Sequence, residues 1–527
     1  MQDGKNIIGY DRTRRGSVTF RTINPILNTE NDTIFYEATP EEVEQAVTLA
    51  HQATHFFGET THKERAKFLR TIADEIMELG DDLITMYCSE TGLPEGRAKG
   101  ERGRTVNQLK LYAGLLDDGS YVEASIDTAK PDRKPMPKED LRKMMFPLGP
   151  VAVFGASNFP LAYSSAGGDT ASALAAGCPV IVKGHPMHAG TGNMVSSAIV
   201  SAARKSAMPE GVFSHLNSKG YAVGEALVKH PMIKAVGFTG SHGGGRALFN
   251  MAAERKEPIP VFAEMGSVNP VVLLPEILKE EKEKWAKTLA GSVTLGSGQF
   301  CTNPGIMMGI KGSELDQFTE ILANEILEIT PSSMLHPDIA EKYDEGKQMM
   351  RAQDGTEVIA EWGKQTQSNT GRQTILKVQA SQFRENPKLH QEVFGPFSLL
   401  VECVNIEDLE RSVALIEGQL TASIIGTADE LKGYGFLIGQ LRDRAGRLIF
   451  NGVPTGVEVC ASMQHGGPYP STTDSRFTAV GEDAIKRWLR PVCFQNCPDA
   501  LLPVALQNAN PLNLLRRVDG SLTHAKI

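Results

Sequence analysis

Val151-Ala152-Val153-Phe154, the alanine-rich run from Leu161 to Ala176, and then Pro179-Val180-Ile181-Val182-Lys183 form the stretch that decides the architecture. Both short runs are apolar throughout rather than alternating, as strands buried on both faces require, and the segment between them has the length and composition of a helix. The alternation continues downstream. Helices are expected from Ala189 to Ser206, Ala222 to Lys229 and Gly244 to Glu254, with strands at Val212 to Leu216, Lys234 to Phe238 and Ile259 to Ala263. Elements that take turns at these lengths imply an α/β fold, a doubly wound parallel sheet with helices on both faces. In such sheets ligands sit beyond the carboxyl ends of strands, and Asn158, Lys183, Ser241 and Glu264 all follow such ends.

Working outward, a second alternating series begins with a strand at Val271 to Leu274 and a charged helix from Ile277 to Leu295. It continues with strands at Ile306 to Ile310, Ser398 to Val404, Ala422 to Gly426 and Arg447 to Asn451. A chain of 527 residues exceeds what one core serves, so two doubly wound parallel-sheet lobes are expected, meeting near Glu264 to Pro270. The first 120 residues read as helical, with Thr39 as N-cap and Pro40 at the first helical position. Residues 123–146 carry Pro131, Pro135, Pro137 and six basic residues, too polar for a core strand and too long for a tight turn, and are expected to project as an arm. The tail from Trp488 to Ile527 reads as irregular and is expected to pair with such an arm, of its own or another subunit. The expected division is therefore 1–122 with 147–265, then 266–487, then 123–146 with 488–527 as a small β oligomerisation arm of a homodimer or homotetramer.

Composition narrows the partners. Hydrophobic residues at 41% and charged residues at 22% describe a globular chain, and a formal net charge of -9 argues against the clustered basic face that nucleic acid or an anionic membrane would need. Small molecules are the expected ligands. Residues 151–182 carry one charge, Asp169, but Pro160, Gly167-Gly168, Gly177 and Pro179 break them into pieces too short to span a bilayer. Seven scattered cysteines, an odd number, and a start lacking an apolar signal core fit a reducing cytoplasm. No metal-ligand spacing is present, so no metal is expected.

The chemistry is concentrated in two runs. Gly298-Gln299-Phe300-Cys301-Thr302-Asn303 offers a thiol, and Phe262-Ala263-Glu264-Met265-Gly266-Ser267 places one carboxylate directly after a short apolar strand. Together they suggest a nucleophile and a base. Phe238-Thr239-Gly240-Ser241-His242-Gly243-Gly244-Gly245 lies at a strand-to-helix turn, where bare backbone and a helix amino terminus can meet a phosphate; the alternative is a plain glycine-rich turn. Lys183 is consistent with a ribose contact or with a solvated lysine. Asn158 could donate to a developing oxyanion or close an Asx turn. His465, in Gln464-His465-Gly466-Gly467-Pro468, has no assignable role.

Over nearly its whole length the chain resembles the aldehyde dehydrogenases. Glu264-Met265-Gly266-Ser267 is similar to the family's glutamate signature, Gly298-Gln299-Phe300-Cys301 to its cysteine signature, Ser157-Asn158-Phe159-Pro160 to its asparagine loop, and Gln391-Glu392-Val393-Phe394-Gly395-Pro396 to its ribose-binding loop. The resemblance implies a Rossmann-like cofactor lobe, a catalytic lobe, and NADP or NAD as cofactor. It also implies roles: Cys301 as nucleophile, Glu264 as base, and Asn158 with the Cys301 amide as oxyanion hole. Lys183 and Glu392 would hold the two riboses, Phe394 the nicotinamide side, and Gly240, Ser241 and Gly245 the pyrophosphate.

Three departures stand out. Ala156-Ser157 replaces the usual proline and tryptophan before the asparagine. Gly184-His185-Pro186 lacks the acid that NAD-preferring relatives carry three residues after the lysine, so NADP is expected to be tolerated. Ser267 replaces a glycine and is expected to matter little. Val457-Glu458-Val459-Cys460 and His465-Gly466-Gly467-Pro468-Tyr469-Pro470 resemble a branch that includes oxidisers of α-ketoglutarate semialdehyde and of long-chain fatty aldehydes. The first activity is the expected one, ahead of the second and of a catalytically silent scaffold. An anionic substrate would want a cation; Arg104 is a candidate, although it reads as an exposed helix arginine.

Overall fold

The computed structural model describes residues 3–527; Met1 and Gln2, at the start of the expected first segment, lie outside them. Two seven-stranded sheets dominate. In the first, the order is Val261–Glu264, Ala235–Thr239, Val151–Phe154, Val180–Lys183, Phe213–Leu216, Asn6–Ile8 and Asp11–Thr13. The first five strands are parallel and the last two antiparallel. Residues alternate across it: Val151, Val153, Val180 and Val182 join one buried cluster, and Ala152, Phe154 and Ile181 the other. This accounts for strands that are apolar at every position, because both faces are covered by helices.

The second sheet runs Glu357–Glu361, Thr374–Gln379, Phe397–Cys403, Ile306–Ile310, Val271–Leu273, Gln419–Ile425 and Ala445–Phe450, parallel except at its first edge. The α/β, doubly wound reading is thus met in both lobes.

Several expectations need correction. Residues 3–36 are not helical; they form six short strands, two of which extend the first sheet, and helices begin at Pro40–Gly58. That helix does start as read, with Thr39 and Glu42 forming a reciprocal capping box. The helix expected from Leu161 spans only Gly168–Ala176. Upstream the chain folds back on itself so tightly that a Cβ on Gly167 would come 2.6 Å from the Ala162 carbonyl oxygen. The tail is less irregular than expected and pairs within its own chain: Leu489–Gln495, Leu141–Pro147, Ser125–Asp127, Arg516–Val518 and Ser521–Thr523 form a third sheet.

Where tail meets lobe, Trp488 is fully buried and its indole N–H donates to Ser172 Oγ at 2.7 Å, while Arg487 pairs with Asp169 at 2.7 Å. Gly237 makes room for this, since a Cβ there would lie 2.7 Å from Asp169 Oδ2. Among the described residues no helix is long and apolar enough to cross a membrane.

Candidate active site

Glu264 closes the strand Val261–Glu264 and is buried. Its backbone bridges to Thr472, and the Met265 N–H donates to the Ser471 carbonyl at 2.8 Å, which binds the strand end to the loop carrying His465. That loop is anchored in turn: the His465 N–H donates to Thr478 Oγ1 at 2.9 Å, and its carbonyl accepts from Ala479 at 2.7 Å. The fully buried imidazole therefore has one place to go. Its Nε2 lies 3.1 Å from Glu264 Oε1 and 3.6 Å from Cys301 Sγ. Glu264, Cys301 and His465 offer three ligand-type atoms within 4.8 Å of one another. Two of the three are the expected nucleophile and base, so an ion held there would block the thiol rather than assist it.

Protonation follows from these contacts. Burial pushes the Glu264 carboxyl up, but His465, the Cys301 thiol and Arg487 together outweigh it and hold Glu264 below its ordinary range. Cys301 is pushed well above the usual thiol range, by burial first and then by the Glu264 charge, with Arg104 opposing weakly. The resting pair is thus a thiol beside a carboxylate. A carboxylate oxygen can only accept, so the hydrogen on His465 Nε2 points at Glu264.

Asn158 is buried and its Nδ2 donates to the Gln299 carbonyl at 3.0 Å, which sets its amide beside the cysteine loop with a second hydrogen still to give. Glu101 positions this segment. Its buried Oε1 accepts from the N–H groups of Leu161 and Ala162 at 2.8 and 3.0 Å, and its Oε2 from the Tyr87 hydroxyl at 2.7 Å.

The cysteine loop has a brace that no local sequence pattern announced. Asn269 Nδ2 donates to the carbonyls of Cys301 and Asn303, both at 2.9 Å. Gln419 Oε1 accepts from the Val268 and Asn269 N–H groups at 2.7 and 3.0 Å. Ser267 was expected to matter little, yet its Oγ lies 2.9 Å from both Asn269 Oδ1 and Gln419 Oε1 and accepts from the Leu420 N–H at 3.0 Å. It knits the glutamate loop to the cysteine loop through the second sheet. The one signal for Asn269 is its left-handed backbone, φ 46°, which asparagine tolerates better than most residues.

The sequence matches the family description "Aldehyde dehydrogenase family" over residues 13–491. The chain belongs to the aldehyde dehydrogenase family. A 47% identical relative from Azospirillum brasilense, named alpha-ketoglutaric semialdehyde dehydrogenase 2, aligns over 98% of this chain and 99% of its own length. A relative from Acinetobacter baylyi, named alpha-ketoglutaric semialdehyde dehydrogenase, is 44% identical over 99% of both. Among solved structures, 1-pyrroline-5-carboxylate dehydrogenase from Thermus with bound NAD has a TM-score of 0.79 at 18% identity, covering 94% of this chain and 93% of that one.

Aldehyde dehydrogenases use a nicotinamide dinucleotide, and the residues present fit one. Lys183 ends the strand Val180–Lys183 with no carboxylate in ion-pair contact among the described residues, and burial pushes its ammonium down to about 8. A cation so placed is short of a polar partner. Ser241 caps the helix His242–Ala253, its Oγ accepting from the Gly244 N–H at 3.3 Å, and a side chain on Gly243 would meet nothing within 4 Å. Gly240 and Gly245, expected at the pyrophosphate, flank this turn. The Gly240 N–H donates to the Glu264 carbonyl at 3.0 Å, and Gly245 admits Met265, 2.7 Å from where its Cβ would be. The exposed first-turn amides of His242 and Gly243 remain to meet an anion.

Glu392 turns its carboxylate onto Gly266, 2.5 Å from a built Cβ, and Phe394 is half-buried in the same segment. That segment is seated on the cysteine loop: Asn303 Nδ2 donates to the Gly395 carbonyl at 3.2 Å, and any side chain on Gly298 would strike the Gly395 backbone.

A cavity of about 390 Å³ leads to Cys301 between Phe159, Tyr163 and Phe300. Arg104 lines it, and the reading of an exposed helix arginine is wrong. Its side chain is half-buried, with Nη2 donating to the Tyr163 hydroxyl at 3.0 Å.

Proposed function

We propose that this aldehyde dehydrogenase oxidises 2,5-dioxopentanoate, α-ketoglutarate semialdehyde, to 2-oxoglutarate with NADP or NAD. The observation that carries the reading is the cavity lined by Cys301, whose thiol contacts His465 and through it Glu264, and by the side chains of Arg97 and Arg104. The two full-length relatives named for this aldehyde support it. A guanidinium without a carboxylate partner, as Arg104 has among the described residues, is a good seat for a carboxylate.

The chemistry follows from the resting pair. Glu264 accepts the Cys301 proton as sulfur adds to the aldehyde carbon, and the Asn158 amide with the Cys301 N–H donates to the oxygen that becomes negative. His465 keeps the carboxylate oriented toward the thiol. Lys183, the His242–Ala253 amino terminus, Glu392 and Phe394 would hold a dinucleotide, which would supply the acceptor for the hydride that leaves the substrate carbon. With Cys301 a thioester and the thiol proton released from Glu264 to solvent, Glu264 takes a proton from water, the hydroxide attacks the acyl carbon, and the acid leaves as sulfur regains a proton from Glu264. Residues 1–122 with 147–265 serve cofactor binding and 266–487 catalysis. Residues 123–146 with 488–527 form an arm whose exposed edge strand Leu489–Gln495 suits pairing in a homodimer or homotetramer. Seven free cysteines accord with a cytoplasmic setting.

NADP is accommodated because Pro186, three residues after Lys183, stands where an acid would repel a 2′-phosphate, and the neighbouring His185, stacked on His188 at 5.0 Å, adds no negative charge. One matrix tests all of this, kcat/KM for 2,5-dioxopentanoate, pentanal and decanal with each cofactor. The dioxo acid should lead; a lead for decanal would overturn the reading.

A further inference from the structure

The helix Glu95–Asp118 presents Gly96, Arg97, Gly100, Glu101 and Arg104 to the cavity, residues at the three- and four-residue spacing that shares one helix face. A Cβ on Gly96 or Gly100 would meet nothing within 4 Å, so the floor between the two arginines is left bare. The arginines differ in what already occupies them. Arg97 Nε faces the buried Glu101 carboxylate at 3.5 Å, and its guanidinium lies flat over Phe159 and Phe300, 4.4 and 4.8 Å from their centroids. Its charge is matched and its face is used as a wall.

Arg104 is not matched. Among the described residues no carboxylate lies in ion-pair contact with it. Its Nε is buried without a partner, and Nη2 has the neutral Tyr163 hydroxyl. A third cation nearby, Arg447, turns Nη1 and Nη2 onto the carbonyls of Gly456 and Pro454, holding the loop opposite. A half-buried guanidinium facing only a phenol in a cavity that ends at the nucleophile is an incomplete ion pair.

We propose that Arg104 completes that pair with the substrate carboxylate, so that it, and not Arg97, selects ω-oxo acids over uncharged aldehydes. Tyr163, whose oxygen accepts from Arg104, keeps its own proton to donate to the carboxylate or to the neighbouring 2-oxo group. The inference rests on the substrate reading above and adds the residue that enforces it.

The experiment compares Arg104→Leu, Arg104→Lys and Arg97→Leu with the unaltered enzyme on two pairs matched in length, 2,5-dioxopentanoate with pentanal and succinate semialdehyde with butanal. Thermal unfolding and the amplitude of Cys301 alkylation by iodoacetamide verify folding. For Arg104→Leu, kcat/KM on the charged member of each pair should fall roughly 10- to 100-fold more than on the uncharged member, chiefly through KM, as loss of a charge-assisted hydrogen-bonded pair implies. Arg104→Lys should recover part of the loss, because it keeps the charge but not the fork. Equal losses within each pair, or a charge-selective loss confined to Arg97→Leu, overturn the assignment. If Arg104→Leu does not fold, Arg104→Lys alone decides, since an unchanged charged-to-uncharged ratio refutes the anchor. The substrate reading fails separately, when the unaltered enzyme itself prefers pentanal and butanal.

Discussion

His465 Nε2 lies 3.1 Å from Glu264 Oε1, inside a site where neither side chain reaches solvent. This contact helps hold the carboxylate below its ordinary range, so the base is ionised when the thiol needs it. In His465→Phe that help is lost and the carboxyl titrates higher. The acid limb of the kcat profile should move to higher pH, and kcat at pH 7 should drop about tenfold, the size of one lost hydrogen bond to a charged group. Steady-state profiles from pH 5 to 9 measure it, and an unmoved acid limb would leave the imidazole with a packing role only.

Cys301→Ala should abolish NAD(P)H formation. Glu264→Gln should keep a first turnover, slowed by loss of the proton acceptor, while steady turnover falls by a factor of about 10² to 10⁴ as the thioester waits for water. Stopped-flow absorbance at 340 nm separates the two phases, and intact-mass spectrometry should find the acyl adduct in the glutamine variant.

Asn269→Ala removes the amide that spans the Cys301 and Asn303 carbonyls and leaves them buried and unpaired. A loss of about 2–4 kcal/mol is expected. Urea unfolding measures it, and iodoacetamide reactivity of Cys301 should change in parallel because the loop is no longer pinned.

Lys183 loses its charge as pH passes about 8. NADP affinity should therefore weaken severalfold between pH 7 and pH 9, and NAD affinity less, because a 2′-phosphate depends more on the ammonium than a hydroxyl does. Fluorescence titration reads both, and Lys183→Gln should abolish the pH dependence. Equal affinities at both pH values would remove Lys183 from the cofactor site.

Acid should destabilise the fold. Burial pushes His188 and His215 down to about 4, and His62 also to about 4. In the unfolded chain they titrate near 6.5, so between those values the unfolded state binds more protons and stability falls as pH falls. Denaturant midpoints should decline from pH 6.5 toward pH 4.

The sequence made the two sheets legible because strands covered on both faces, such as Val180-Ile181-Val182, have few other uses. Cys301 and Glu264 were legible for a related reason: a reactive side chain just past a strand end or in a tight glycine turn stands out locally. Asn269, Gln419 and Glu101 did not, because each acts on backbone groups 32 to 151 residues away, as Asn269 to Cys301 and Gln419 to Val268 illustrate, and such bonds leave no periodicity. His465 was visible but mute for the same reason. The short strands before residue 36 were missed because two- and three-residue strands are defined by their partners rather than by their own composition.

Glu101 and Arg104 share one rigid rod, the first gripping the Asn158 segment and the second facing the incoming substrate. Diversification of this enzyme toward other aldehydes is therefore coupled on that side: a shift of the rod that reshapes the entrance also tilts Asn158. Another stretch of the lining, Thr455 to Val457, is held by Arg447 on the Pro454 and Gly456 carbonyls and by one side-chain contact, Thr455 Oγ1 to Ser292 Oγ at 2.9 Å. Descendants with new tastes should have changed that wall first.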